Sequence, residues 1–320
     1  MAIAYTDLPN GIIIVLACLL AVPFVYVAAG GLGAAKQVLD PGYFSVVNSQ
    51  FGANPTLKAL GYFLSTLLLL LGVQSMYQKF YSAKSAKDAR KSVFWWTIGT
   101  IFVETVVVII AVFSYSKFKD QIDLTIPKEG GKVVLMAARS LVPAPVGVLL
   151  LGAACAVVIS TGMNYLLSPS TTIMRDIYQR FMKKDASQKN LVALQKVFVV
   201  VIGVLAFLLA VRLKSVLEMS FFAYTIYGVA ITPALFAALT WKRATKAGGL
   251  ASVISGTVAC IFLKIMAEVL PAAKAPDGDP WGIPIIYPAL AISLGSLIIV
   301  SLLTPKPKPE ELEKFFPKKG

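Results

Sequence analysis

One apolar stretch of this 320-residue sequence carries a dense set of neutral oxygens: Ala156-Val-Val-Ile-Ser160-Thr161-Gly-Met-Asn164-Tyr-Leu-Leu-Ser168-Pro-Ser170-Thr-Thr172. Two adjacent hydroxyls cannot both return to the carbonyl four residues back and stay on one helix face, and Gly162 beside them lets another backbone approach. Such a set suits a hard monovalent cation, which wants several oxygens and no nitrogen or sulfur, the preference known for calcium and magnesium. It equally suits packing between helices, where each hydroxyl bond contributes about 0.6–2 kcal/mol. Periodicity leaves both readings open. Glu104 lies near the middle of another apolar run. An ionised carboxylate there costs roughly 2.5–3.5 kcal/mol, so it is expected to be protonated, paired or beside a water-filled path, as a functional acid or as a neutral structural one. Gly72-Val-Gln74-Ser75 interrupts Leu67–Leu71, as in a discontinuous membrane helix or a packing notch. Pro169 and Pro233 are expected to kink or end their helices.

Other chemistries are excluded by what is missing. The chain has no histidine, so Ser-His-Asp and Cys-His nucleophile pairs, His-ligated metals and imidazole relays are unavailable. No Gly-x-Ser-x-Gly run and no pair of intramembrane aspartates offers general acid/base chemistry. The sequence therefore reads as a non-enzyme, with no cofactor and no metal site beyond that alkali-type cation. Cys18, Cys155 and Cys260 lie far apart in apolar runs and are expected to be small core residues. Thirty Lys and Arg against 16 Asp and Glu give a net charge of +14, which alone would hint at nucleic acid. The hydropathy overrules that: 57% of residues are apolar, 14% are charged, and mean hydropathy is +0.76, where an average globular chain is about 25% charged.

The elements that must position these groups are membrane helices, each needing about 20 mostly apolar residues. Uncharged runs at 11–35, 59–78, 140–174, 219–241 and 280–305 give five spans. The run 92–116 adds a sixth around Glu104, and 191–213 and 247–270 complete eight if Lys196, Arg212 and Lys264 snorkel. The predicted class is an all-α integral membrane protein, with a membrane domain over 1–304 and a basic cytoplasmic tail over 305–320. Asp7 and the absence of Lys or Arg before the first span argue against a secretory signal. With the amino terminus inside, the clusters Lys79–Lys91, Arg175–Lys189, Lys242–Lys246 and Lys306–Lys319 all face the cytoplasm and outweigh the outer Lys and Arg. Both termini are thus expected inside, in a multi-pass plasma or inner membrane protein. The outer loops 31–57 and 115–145 are long enough for surface helices, Lys132–Leu141 among them. The tail should run extended and then form a short helix, solvated or with its lysines and Phe315-Phe316 on anionic lipid.

Four blocks of this sequence resemble the sodium/solute symporter family. Gln74-Ser-Met-Tyr-Gln-Lys-Phe-Tyr-Ser-Ala-Lys-Ser-Ala-Lys-Asp-Ala-Arg90 is similar to its Gln-Arg-x-x-x-Ala-Lys-Ser-x-x-x-Ala-Arg loop. Ser160-Thr161, Leu166-Leu-Ser168 and Arg175-Asp-Ile-Tyr-Gln-Arg-Phe181 resemble its Ser-Thr, Leu-Leu-Ser and Arg-Asp-Ile-Tyr block. Trp241-Lys-Arg-Ala-Thr-Lys-Ala-Gly-Gly249 resembles its Trp-Lys-Arg-Ala-Thr-x-x-Gly turn, and Ala4-Tyr-Thr-Asp7 its Tyr-Thr-Asp helix start.

The resemblance implies a leucine-transporter-type fold of two inverted five-helix repeats around a midplane site. By its blocks the first span is similar to the fifth core helix, spans two to six to the second repeat, and the last two to helices beyond it; the first four core helices have no counterpart. It implies sodium-coupled symport of a small organic solute, with sodium the coupling ion, held by the Ser160 and Thr161 hydroxyls and the Val157 carbonyl. Asp7 falls at an aspartate on the family's inward ion path, though a helix N-terminal acid is an equal reading. Gln74 is the remaining solute-site candidate. Leu69-Leu-Leu71 stands where sugar-transporting members have an aromatic, polar stretch, which points away from a sugar. Glu104 matches no family role. With half of each site on absent helices, the chain is expected not to transport alone unless an amino-terminal partner chain supplies them. The alternative is a non-transporting split relic or membrane scaffold.

Overall fold

The computed structural model describes residues 2–47, 54–124, 126, 129–212, 216–270, 279–313 and 316, without the side chains of 2–6, 78, 79, 212, 216 and 311. Lys128, Lys214, Lys274, Lys314, Phe315, Lys318 and Lys319, and the side chains of Lys79 and Arg212, lie outside this description. Among the described residues the chain is helical, and eight helices are long and apolar enough to cross a membrane. The all-α membrane architecture read from the uncharged runs is the one observed. The chain divides into two compact units.

The first unit contains α1 (Ala2–Ala28), α2 (Gly31–Val38), α4 (Gln74–Tyr81), α5 (Ala86–Phe118), α6 (Lys132–Ser140), α7 (Ala144–Thr172) and α8 (Gln188–Arg212). Helix α1 packs along both α7 and α5, α6 caps the α5–α7 corner, and α4 and α8 lie against α7. Close packing at the start of α7 depends on Gly147, where a Cβ would strike the Ala138 carbonyl. Surface helices do occupy the two long loops, as α2 and α6. Helix α5 starts earlier than the charge pattern implied: Ser85 caps it, its Oγ accepting from the Asp88 amide at 3.1 Å and donating to the Asp88 carboxylate at 2.7 Å. The last part of the Ala-Lys-Ser-x-x-x-Ala-Arg block is therefore the first turn of a helix.

Two expectations for α7 are corrected. The helix does not end at Pro169 but runs to Thr172 and continues as a π-helix over Ile173–Met182, which contains the Arg175–Phe181 block. Cys155 is exposed, whereas Cys18 and Cys260 are buried. Its place on α7 faces away from the helices packed there.

The second unit contains α3 (Pro55–Gly72), α9 (Val216–Ala230), α10 (Thr232–Thr240), α11 (Lys246–Val269), α12 (Ile286–Leu303) and α13 (Pro309–Glu313), the short helix expected in the tail. Helices α11 and α12 form its most extensive pairing. Gly248, Ser252 and Gly256 recur every fourth residue along the α11 face that meets α12, and Ser252, Ser293 and Ser301 are fully buried. A Cβ on Gly256 would come within 2.8 Å of the Val229 carbonyl. Small residues let backbones close where lipid gives helices no hydrophobic reason to associate.

Two spans are interrupted. Helix α3 stops at Gly72, Val73 is extended (φ −70°, ψ 124°), and α4 starts at Gln74; the Gly-plus-polar signal marks a true discontinuity, and the second span is Pro55–Gly72. The sixth is broken at Ile231, with Pro233 in the first turn of α10, where its missing N–H is harmless. The ends of α3 and α10 are tied together: the Thr232 hydroxyl donates to the Leu68 carbonyl at 2.6 Å, and a Cβ on Gly72 would strike that hydroxyl. The Trp241–Thr245 turn follows. Arg243 Nη2 donates to the carbonyls of Leu302 (3.1 Å) and Thr304 (2.9 Å), capping α12, and Thr245 caps α11 by accepting from the Gly248 amide at 3.1 Å. That block of sequence is a device for joining two helix ends.

Candidate functional site

Positions 157, 160 and 161 share one face of α7, being three and four residues apart. The Ser160 hydroxyl donates to the Val157 carbonyl at 3.2 Å, and Asn164 Nδ2 donates to the Ser160 carbonyl at 2.8 Å. Thr161 is exposed and its hydroxyl makes no hydrogen bond among the described residues. Thr66, Thr97, Thr105, Thr171 and Thr257 each return their hydroxyls to the carbonyl four residues back, at 2.7–2.9 Å. Thr161 does not, so one acceptor oxygen with its proton stands unspent beside Ser160 and Val157. Nothing lies within 4 Å of the place a Cβ would take on Gly162. A carbonyl and two hydroxyls on one open face make three neutral oxygens of the kind an alkali cation coordinates.

Gln74 is not beside that face. Its Oε1 accepts from Ser168 Oγ at 3.0 Å and from Thr172 Oγ1 at 3.2 Å. Ser168 is eight residues beyond Ser160, about 12 Å along a helix. Gln195 of α8 extends the network, donating to Thr171 Oγ1 at 2.8 Å. Arg175 and Asp176 of the π-helix line the same polar recess. The sequence reading named Gln74 as a solute-site candidate and quoted Ser168, Thr172, Arg175 and Asp176 within its motifs without placing them beside it, and it did not mention Gln195.

Asp7 is half-buried in the second turn of α1, a helix that begins at Ala2. Glu104 is exposed on α5, and no hydrogen bond or ion pair engages it among the described residues. Lys264, expected to snorkel, pairs with Glu268 one turn on at 3.5 Å.

The second unit holds a feature that the sequence did not announce. Lys58 of α3 forms an ion pair with Asp279, both side chains largely buried, and its ammonium lies 5.6 Å over the Tyr62 ring. Tyr62 packs on Phe221 with centroids 4.2 Å apart, and the buried Ser65 and Thr225 hydroxyls bond at 2.9 Å. These groups surround a cavity of about 110 Å³, which Glu218 and Lys264 also line.

The family model described as Sodium:solute symporter family matches residues 1–256. The chain belongs to the sodium:solute symporter family. Among named relatives, a sodium/proline symporter of Haemophilus influenzae is 29% identical, over 98% of this chain and 62% of its own. An osmoregulated proline transporter of Bacillus subtilis is 28% identical, over 96% and 60%. A human high affinity choline transporter is 26% identical, over 82% and 46%. The solved structure of a substrate-bound, outward-open Na⁺-coupled sialic acid symporter shares the fold, with a TM-score of 0.65 at 17% identity, over 96% of this chain and 63% of that one. The chain thus spans about three-fifths of the length of the bacterial relatives it matches. These relatives of the symporter family are transporters, not enzymes.

Proposed function

We propose that this chain serves sodium-coupled symport of a small organic solute across the cell membrane, by alternating access. The observation that carries the reading is the open face of α7, where the Val157 carbonyl and the Ser160 and Thr161 hydroxyls cluster and Thr161 lacks the back-bond that its counterparts make. In the proposal those oxygens hold the coupling sodium, whose binding shifts the balance between outward- and inward-facing states. Asp7 lies on the inward ion path. Gln74, with Ser168 and Thr172, lines the inner route of the solute. Three protein oxygens are too few for a dehydrated sodium ion, so the rest come from helices outside these 320 residues, in keeping with the chain spanning three-fifths of its relatives. Both termini face the cytoplasm, as the basic clusters favour.

The test is uptake of labelled proline, chosen because several relatives are named proline symporters, into vesicles holding this polypeptide with and without a co-expressed amino-terminal portion of a relative. Sodium-stimulated uptake only with both parts, abolished by Ser160→Ala plus Thr161→Ala, is the expected result. Equal uptake without sodium in the paired vesicles, or a sodium requirement untouched by the double substitution, would overturn the ion site. Robust uptake by the 320 residues alone would remove the need for a partner.

A further inference from the structure

The second unit has a groove at the end of the molecule where α10 and α12 finish and α11 begins. It has a volume of about 630 Å³, within the roughly 300–1,000 Å³ usual for a small-molecule site. Its walls are apolar: Ala234 and Ala238 of α10, Leu297 of α12, and Leu312 and Phe316 from the tail. The two hydroxyls that reach it, Thr245 and Thr304, bond each other at 2.7 Å. Cations supply the polar rim. Lys246, Lys306 and Lys308 line it and are exposed, and Lys242 lies 5.7 Å over the Phe316 ring, pinning the tail across one side. The described tail carboxylates, Glu310 and Glu313, are exposed and do not line it.

An apolar trough bordered by three ammonium groups matches a molecule with a hydrocarbon part and an anionic end. Three spanning helices start or stop here, so its depth is that of lipid head groups. We propose that the groove binds one anionic phospholipid, an acyl chain lying along Ala234, Ala238 and Phe316 and the phosphate among Lys246, Lys306 and Lys308. The lipid would fasten the tail to the α10–α11 turn that Arg243 and Thr245 already hold. This stands independently of the ion site on α7.

Native mass spectrometry of the full chain, released from detergent with defined lipid, reads the occupancy directly. Phosphatidylglycerol should be retained at least tenfold over phosphatidylcholine. Lys306→Gln plus Lys308→Gln, both on the exposed tail, should cut that preference about fivefold per lysine. Gly249→Leu tests the trough: Gly249 lines it, and a Cβ there meets only the Ala234 side chain within 4 Å, at 3.9 Å, so the added side chain starts clear of backbone. It should lower phosphatidylglycerol retention to the phosphatidylcholine level with the melting temperature unchanged. Equal retention of the two lipids by the unaltered protein would overturn the proposal. So would full phosphatidylglycerol retention by Gly249→Leu, since the lysines would then act as a diffuse surface charge and the trough as no seat.

Discussion

The hydroxyls buried in the second unit and those of Ser160 and Thr161 on α7 are the same chemical groups set in equally apolar helices, yet they stand in opposite states. On α11 and α12, Ser252 and Ser293 bond each other at 2.8 Å and Ser293 also donates to the Val229 carbonyl at 2.6 Å, all fully buried. Ser65 with Thr225 and Thr232 with Leu68 are similarly closed. On α7, Ser160 reaches its own helix only at 3.2 Å and Thr161 reaches nothing described. A buried hydroxyl without a partner costs roughly 1–3 kcal/mol, and lipid offers no water to make it good. A hydroxyl that is satisfied by its neighbours is packing; one left open in a span asks for something else to coordinate. The difference between the units can be broken by substitution, and stability should fall in the order of how closed each contact is.

The largest loss is expected at Gly256. A leucine there must push its Cβ into the Val229 carbonyl of α9, backbone that cannot swing aside, and against Ser293 of α12, so α11 should be forced off both neighbours with a cost of about 3 kcal/mol. Unfolding in detergent and SDS mixtures would measure it, and a loss under about 1 kcal/mol would contradict the tight pairing. Next comes Lys58→Met. It leaves Asp279 in a largely buried place without its cation; complete burial would cost about 3–5 kcal/mol, and the residual exposure here reduces this to about 2 kcal/mol. Asp279→Asn in the same background should recover part of the loss, because the carboxylate has lost the Lys58 ammonium that compensated it. Ser293→Ala should cost about 1 kcal/mol, the scale of a membrane hydroxyl bond.

These features differ in how far the sequence revealed them. The eight spans, the interruption at Gly72–Gln74 and the helix in 132–141 follow from local signals: gaps between charges, a glycine beside polar groups, and apolar spacing. The three cap roles of Ser85, Arg243 and Thr245 lie inside blocks that the family resemblance singled out but that composition could not explain. The Lys58–Asp279 pair joins residues 221 positions apart, beyond the reach of any periodic pattern. Pro169 was expected to kink or end its helix; the helix does not end there, and the π-helix begins four residues further on. Glu104 and Cys155 were read by their position along a span; which side of a helix is covered depends on neighbours, and the chain's own sequence does not state it. For the same reason Ser160 and Thr161 could be picked out by type, while the openness of their face could not.

The smallest stability effect is expected where the functional effect is expected to be greatest. Ser160→Ala plus Thr161→Ala removes two hydroxyls, one bonded only weakly to its own helix and one bonded to nothing described, so the melting behaviour of the chain should change by less than about 0.5 kcal/mol. If the pair were instead packing glue like Ser252 and Ser293, the loss should approach about 2 kcal/mol, two bonds of the membrane scale. The measurement needs no transport assay and no partner chain, only the unfolding of the purified protein beside its Ser293→Ala counterpart. A double variant as stable as the unaltered chain removes packing within these 320 residues as the explanation for two alcohols on an open face in the middle of a span, as the ion site proposed above requires.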